Sequence, residues 1–154
     1  MAGKKILVAF EFTEYDERSL HYVMRNLADQ KWVKVTLFHV YTPLPDMDTF
    51  SNPRLSHLKS TMDTLWTELG EKEAELKKIK EDLLDNGFRD DQVDYVFKAR
   101  TKDIGGEIVD MVLKESYDTI VLSHKPRKFT RKFTRKVHDK LLDSLKDTTI
   151  AIIT

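Results

Sequence analysis

The stretch KKILVAFEFTEYDERSL, Lys4 to Leu20, decides the class of fold. Residues 4–10 carry a continuous apolar run rich in strand formers, the pattern of a strand buried on both faces of a parallel sheet. Thr13 then stands as a helix cap, with Glu14, Asp16 and Glu17 near the positive end of the helix dipole. Leu20, Val23, Met24 and Leu27 supply a buried stripe at helical spacing, and the helix is expected to end near Asp29. A buried strand that turns within a few residues into an amphipathic helix is the opening half of a strand–helix–strand unit.

The rest of the chain repeats that unit. Val33–Val40 reads as a second buried strand, followed by a loop containing Pro43, Pro45 and Pro53. From Leu55 the apolar positions Leu58, Met62, Leu65, Leu69, Leu76, Ile79 and Leu83 mark a helix with one narrow seam, which Gly87 ends. Unbroken, that helix spans about 45 Å at 1.5 Å per residue, so it should bend near Gly70 or protrude. Its seam suits the chain's own sheet, which needs both faces covered, and would also suit a partner helix. Val93–Ala99 is a third strand, Asp103–Glu115 a third helix and Thr119–Ser123 a fourth strand. A helix over Thr134–Leu145 and a strand over Thr149–Thr154 close the chain.

Alternating strands and helices with short connections predict one α/β domain over residues 1–154: a doubly wound, Rossmann-like parallel sheet of five strands with helices on both faces. No helix follows TIAIIT to cover the outer edge of the last strand. An exposed apolar edge invites pairing, so a homodimer through Thr149–Thr154 is expected.

Composition narrows the function. At 154 residues and 40% apolar content the chain can bury a single core. It has no cysteine, which excludes disulfides, thiolate metal sites and a cysteine nucleophile, and fits a reducing, cytoplasmic setting. No apolar run approaches membrane-spanning length, and the opening residues lack the pattern of a secretory signal. Formal net charge is zero, from 26 basic and 26 acidic side chains, so attraction to an anionic partner requires a local patch.

Ligands in sheets of this kind bind beyond the carboxyl ends of the strands, here Glu11–Thr13, His39–Thr42 and Ser123 onward. KKILVAFEFTEYDERSL (Lys4–Leu20), VTLFHV (Val35–Val40), DIGGEIVDMVLKESYDTIVLSH (Asp103–His124) and TTIAIIT resemble, in order and spacing, the universal stress proteins. The resemblance implies strand order 3-2-1-4-5, dimers through the last strand and, in a subset of members, ATP binding. That subset carries Gly, two residues, Gly, nine residues, Gly and then Ser or Thr, because glycines let backbone amides close on phosphate oxygens. Laid on this sequence, the three glycine positions hold Leu122, Lys125 and Arg135, and the hydroxyl position holds Lys136. Glu11 and Thr13 stand where the nucleotide-binding relatives commonly have Asp and Ser. The chain therefore reads as a non-enzymatic binding protein with no cofactor and a degenerate nucleotide site.

Ser123 to Lys140 holds eight basic residues against one acid, Asp139, and contains a direct repeat, KFTRKFTR. Phe129, Phe133, Val137 and Leu141 recur one helical turn apart, which turns the phenylalanines to the core and the cations to water. Three uses are open. Glu11, Lys125, Arg127, Lys128, Arg135 and Lys136 could hold a phosphate or ATP through side chains in place of the glycine loop. The cations could contact nucleic acid, the weaker of the functional readings. Or they form a solvated face balanced by the acidic helix around Glu68–Asp94.

Glu11, His39 and His124 all fall at strand ends and could together ligate a divalent metal, but no pair lies at ligand spacing, and packing explains His39 equally. His21, His57 and His138 lie on predicted helices without telling partners. Gly105 and Gly106 ease the start of the third helix. Nothing in the sequence carries the pattern of a catalytic motif.

Overall fold

The computed structural model describes residues 3–44, 56–123 and 137–154, with side chains from residue 60 onward in the second stretch. Its elements are β1 (Lys4–Ala9), α1 (Asp16–Leu27), β2 (Val33–Tyr41), α2 (Ser56–Asp85), a short 3-10 turn (Asp90–Gln92), β3 (Val93–Ala99), α3 (Ile104–Glu115), β4 (Thr119–Ser123) and β5 (Thr149–Ile153). A further helical stretch, α4, covers residues 137–144. The five strands form one sheet in the order β3-β2-β1-β4-β5, and every pairing is parallel.

β1 occupies the centre, where Ile6 is opposite Val35 on one side and Thr119 on the other. Alternate residues of β1 therefore face opposite layers, and both layers are apolar. Ile6 and Val8 pack with Leu20 and Val23 of α1 and with Leu76 and Leu83 of α2. Leu7 and Ala9 pack with Ile108 and Val112 of α3 and with Val137 and Leu141 of α4. Burial on both faces is why β1 reads as an unbroken apolar run.

Two local features differ from the sequence reading. α1 begins at Asp16 behind Tyr15, with no side-chain cap, and ends at Leu27 rather than Asp29. Thr13 does not cap it; the hydrogen bonds run the other way, from Thr13 to Asp16. Of the two courses expected for α2, a bend near Gly70 or an unbroken, protruding helix, it runs unbroken across Gly70, and among its described side chains the deeply buried ones are Leu76, Ile79 and Leu83. Met62, Leu65 and Leu69 are half-buried, and Trp66 is 56% exposed. The cause is a mismatch of length: thirty helical residues outrun strands of five to nine residues.

Gly87 ends α2 at φ 111°, and the Phe88 amide returns to the Leu83 carbonyl at 3.2 Å. Gly105 has a packing role beyond easing the helix start: a Cβ there would lie 3.0 Å from Cβ of Lys140, so the missing side chain lets α3 approach α4.

Candidate functional site at the carboxyl ends of the strands

The central strand positions the site. The Phe10 amide makes the last β1–β2 hydrogen bond, to the Phe38 carbonyl at 2.9 Å, and the chain then turns sharply. Phe12 adopts φ 60°, a left-handed conformation that costs a bulky residue about 1–2 kcal/mol. Asp16 holds it there. Its Oδ2 accepts from the Glu11 amide at 3.1 Å, the Thr13 amide at 2.8 Å and the Thr13 hydroxyl at 3.1 Å. The two amides flanking Phe12 are thereby committed to a carboxylate of the chain itself.

Oδ1 of Asp16 accepts from the Ser123 hydroxyl at the end of β4, at 3.2 Å. Ser19 lies 2.5 Å from that same hydroxyl; with the Ser123 proton directed at Asp16, Ser19 is the donor. Asp16, Ser19 and Ser123 are all buried. A buried carboxylate is tolerated only when its lone pairs are satisfied, and four donors satisfy this one.

A second strand-to-helix turn is built alike. Oε1 of Glu107, on α3, accepts from the Thr101 amide at 2.7 Å, the Thr101 hydroxyl at 3.1 Å and the Lys102 amide at 3.1 Å. Lys98 approaches its other oxygen at 3.8 Å. Burial would raise the Glu107 pKa, but the bonds from Thr101 and Lys102 and the Lys98 charge together outweigh it and hold the carboxyl below its ordinary value.

Between these turns runs a row of rings. Phe10 meets Phe12 edge-on at 4.9 Å, Phe12 meets His39 edge-on at 4.7 Å, and His39 stacks on Phe97 at 5.6 Å. Tyr41 extends the row, 5.0 Å from Phe97. Nδ1 of His39 lies 2.7 Å from the Phe10 carbonyl, to which it donates. His39 thus joins β1 to β2 from within the aromatic layer, the packing role weighed against metal ligation. No group of three His, Cys, Asp or Glu side chains among the described residues is placed to hold a metal ion.

Of the residues singled out in the sequence, Glu11 lies at this turn, half-buried. Lys125, Arg127, Lys128, Arg135 and Lys136, with His124, lie outside the described residues. Leu122, which the sequence reading laid on the first glycine of the relatives' motif, is buried against the α3 side of the sheet and stands opposite Ile152 of β5. His21 is exposed on α1. Asp16 and Glu107 were missed as the anchors of the two turns. The signal was present for the first, because T-x-x-D at Thr13–Asp16 has the spacing of a reciprocal cap.

The family described as the universal stress protein family matches residues 3–146 of this chain. No curated protein matches its sequence. The universal stress protein from Archaeoglobus fulgidus in complex with dAMP has 16% identity and a TM-score of 0.61, the match covering all of both chains, at 100% and 100%. The universal stress protein UspA from Lactobacillus plantarum has 13% identity and a TM-score of 0.68, with 100% and 99% covered. A family protein from Arabidopsis thaliana with AMP bound has 14% identity and a TM-score of 0.52, with 97% of this chain and 90% of that one covered. These likenesses establish the fold. No helix among the described residues is long and apolar enough to cross a membrane. The family match over most of the chain's length, together with the strand order observed, assigns it: the chain belongs to the universal stress protein family.

Proposed function

We propose that this protein is a non-enzymatic binding protein of its family, cytoplasmic and homodimeric, in which the nucleotide site has degenerated. The observation that carries the reading is Leu122. A buried leucine, paired in register with β5, stands where the ATP-binding relatives carry the first glycine of the phosphate loop. The remaining motif positions hold Lys125, Arg135 and Lys136, and side chains of that bulk are poor substitutes for a cradle of bare amides. At the neighbouring turn, Asp16 already occupies the amides of Glu11 and Thr13.

The dimer is supported by a contrast between the two sheet edges. β3 carries exposed charges at Asp94 and Lys98, which discourage pairing with another strand. β5 offers Thr149–Ile153 with Ile152 43% exposed and no charge. The cytoplasmic setting rests on the lack of cysteine.

A second reading is favoured by the relatives. Two of the similar structures hold dAMP and AMP, and retention of a nucleotide or other phosphate ligand here would have to use Lys125, Arg127 and Lys136, with Lys128, Arg135 and Glu11 as further candidates. One experiment separates the two. The purified protein is denatured and its supernatant analysed by mass spectrometry, and the native protein is melted with and without ATP and AMP. The degenerate-site reading expects no co-purified nucleotide and no shift. A stoichiometric nucleotide, or a melting shift lost on replacing Lys125, Arg127 and Lys136 with Gln, would sink it.

A further inference from the structure

Between α1 and α2 lies a groove of about 500 Å³. Phe10, Leu20 and Ile79 form its buried floor, with Phe12 and Met24 half-buried beside them. Glu14 and Glu17 stand on the α1 side and Glu75 and Asp82 on the α2 side, all exposed. Among the described residues none that lines the groove is lysine or arginine, although His21 lies in the lining and Lys72 approaches the Phe12 ring at 6.0 Å. None of the four carboxylates makes an ion pair among the described residues, whereas Lys80, on another face of α2, pairs with Asp90.

An apolar floor between four exposed carboxylates sets the chemistry of an occupant. It excludes nucleic acid and anionic membrane surfaces by charge repulsion. Among the described residues no three of these carboxylates are placed to share a metal ion, and Glu75 and Asp82 lie seven residues apart on one helix, about 10 Å along its axis at 1.5 Å per residue. Carboxylates spread over that length match cations spread along a chain, and the floor of Phe10, Leu20 and Ile79 matches apolar side chains between them. We propose that this groove docks a segment of a partner protein rich in lysine and arginine and interrupted by leucine or phenylalanine anchors. Steering by the carboxylates brings the segment in, and burial of its anchors on the floor holds it.

The test uses the whole chain and a fluorescein-labelled peptide of repeated Lys-Arg-Leu triplets, followed by anisotropy. Binding is expected to weaken at least about tenfold when Glu14→Gln, Glu17→Gln, Glu75→Gln and Asp82→Asn are combined, a loss of about 1.4 kcal/mol. A control neutralising Asp29, Asp85, Asp143 and Asp147, exposed acids outside the groove, should bind as the parent does. Peptides of Lys-Arg-Ser triplets should bind more weakly than the leucine series. All four groove substitutions are at exposed positions, and the pair Glu75→Gln with Asp82→Asn provides a milder variant of the same sign. Equal binding by the groove variant and the parent overturns the proposal. So does a change in the chain's own sedimentation on neutralising the groove, which would make the occupant a second copy of this protein.

Discussion

Ser123, the last residue of β4, donates a hydrogen bond of 3.2 Å to Asp16, the first residue of α1. The contact joins the two central strands where their carboxyl ends diverge, because Asp16 also holds the turn that follows β1. Asp16 thus ties the turn after β1 to the end of β4 at the switch point, the place where sheets of this kind leave room for a ligand.

Removing that anion should be costly. Asp16→Ala leaves the amides of Glu11 and Thr13 and the hydroxyl of Ser123 without their acceptor, and it frees Phe12 from a conformation it does not favour. Hydrogen bonds to a charged group are worth about 1.5–3 kcal/mol each, though not additively. A loss of about 3–4 kcal/mol in urea unfolding is expected, in the range reported for stripping a buried charged network. Asp16→Asn keeps an acceptor for one side of the network and should lose about half as much. A loss below about 1 kcal/mol for the alanine variant would show that the turn is held by packing of Phe12 instead.

Glu107 makes stability depend on pH. Its carboxyl is held below the ordinary value in the folded chain, so the unfolded state takes up the proton first as the solution is acidified. The stabilisation is therefore fully present above the unfolded carboxylate value of about 4.3 and is lost as pH falls through the lower folded value. Urea midpoints measured from neutral pH downward should fall more steeply below about pH 4.5 in the parent than in Glu107→Gln. Parallel curves for the two proteins would remove Glu107 as the cause.

Gly87 is required by its backbone. At φ 111° an alanine is strained although nothing nearer than 3.8 Å opposes its Cβ. Gly87→Ala should cost about 1–2 kcal/mol and lower the melting temperature by about 2–4 °C for each. Gly70→Ala, in the middle of α2 with open space around it, should instead stabilise by up to about 1 kcal/mol through helix propensity. The pair of opposite signs, read by thermal melting, distinguishes backbone strain from crowding.

The parts of the fold that were legible are those in which one physical constraint acts alone. β4 was bounded to the residue because burial on a parallel sheet leaves an apolar, β-branched run, TIVLS, with polar flanks; β3, an edge strand with charges at Asp94 and Lys98, was also bounded to the residue, though without such a run. For α2 the length left two courses, a bend near Gly70 or a protruding end, and periodicity could not choose between them, since it records which face is apolar and not where the sheet beneath it stops. The Asp16 turn was half legible. T-x-x-D announces a local side-chain arrangement in which the carboxylate can only accept, but the fourth donor to Asp16, Ser123, lies 107 residues away in sequence and leaves no local sign. Glu107 gave no local sign, because its partners lie in the preceding loop and its burial comes from the sheet.

The last prediction concerns the exposed edge. Ile152 projects from β5 at 43% exposure, and among the described residues no strand lies beyond β5 in the sheet. If two copies join there, the edge is buried in the assembly, and a charge placed on it must either be desolvated or break the contact. Ile152→Lys should therefore convert a dimer into a folded monomer, with sedimentation velocity reading the mass and circular dichroism the fold. Substitution at Leu113, equally apolar and 64% exposed but on α3, should leave the mass unchanged. A parent protein that sediments as a monomer at every concentration would show that this edge is protected by its shortness alone, and the homodimer would have to be abandoned.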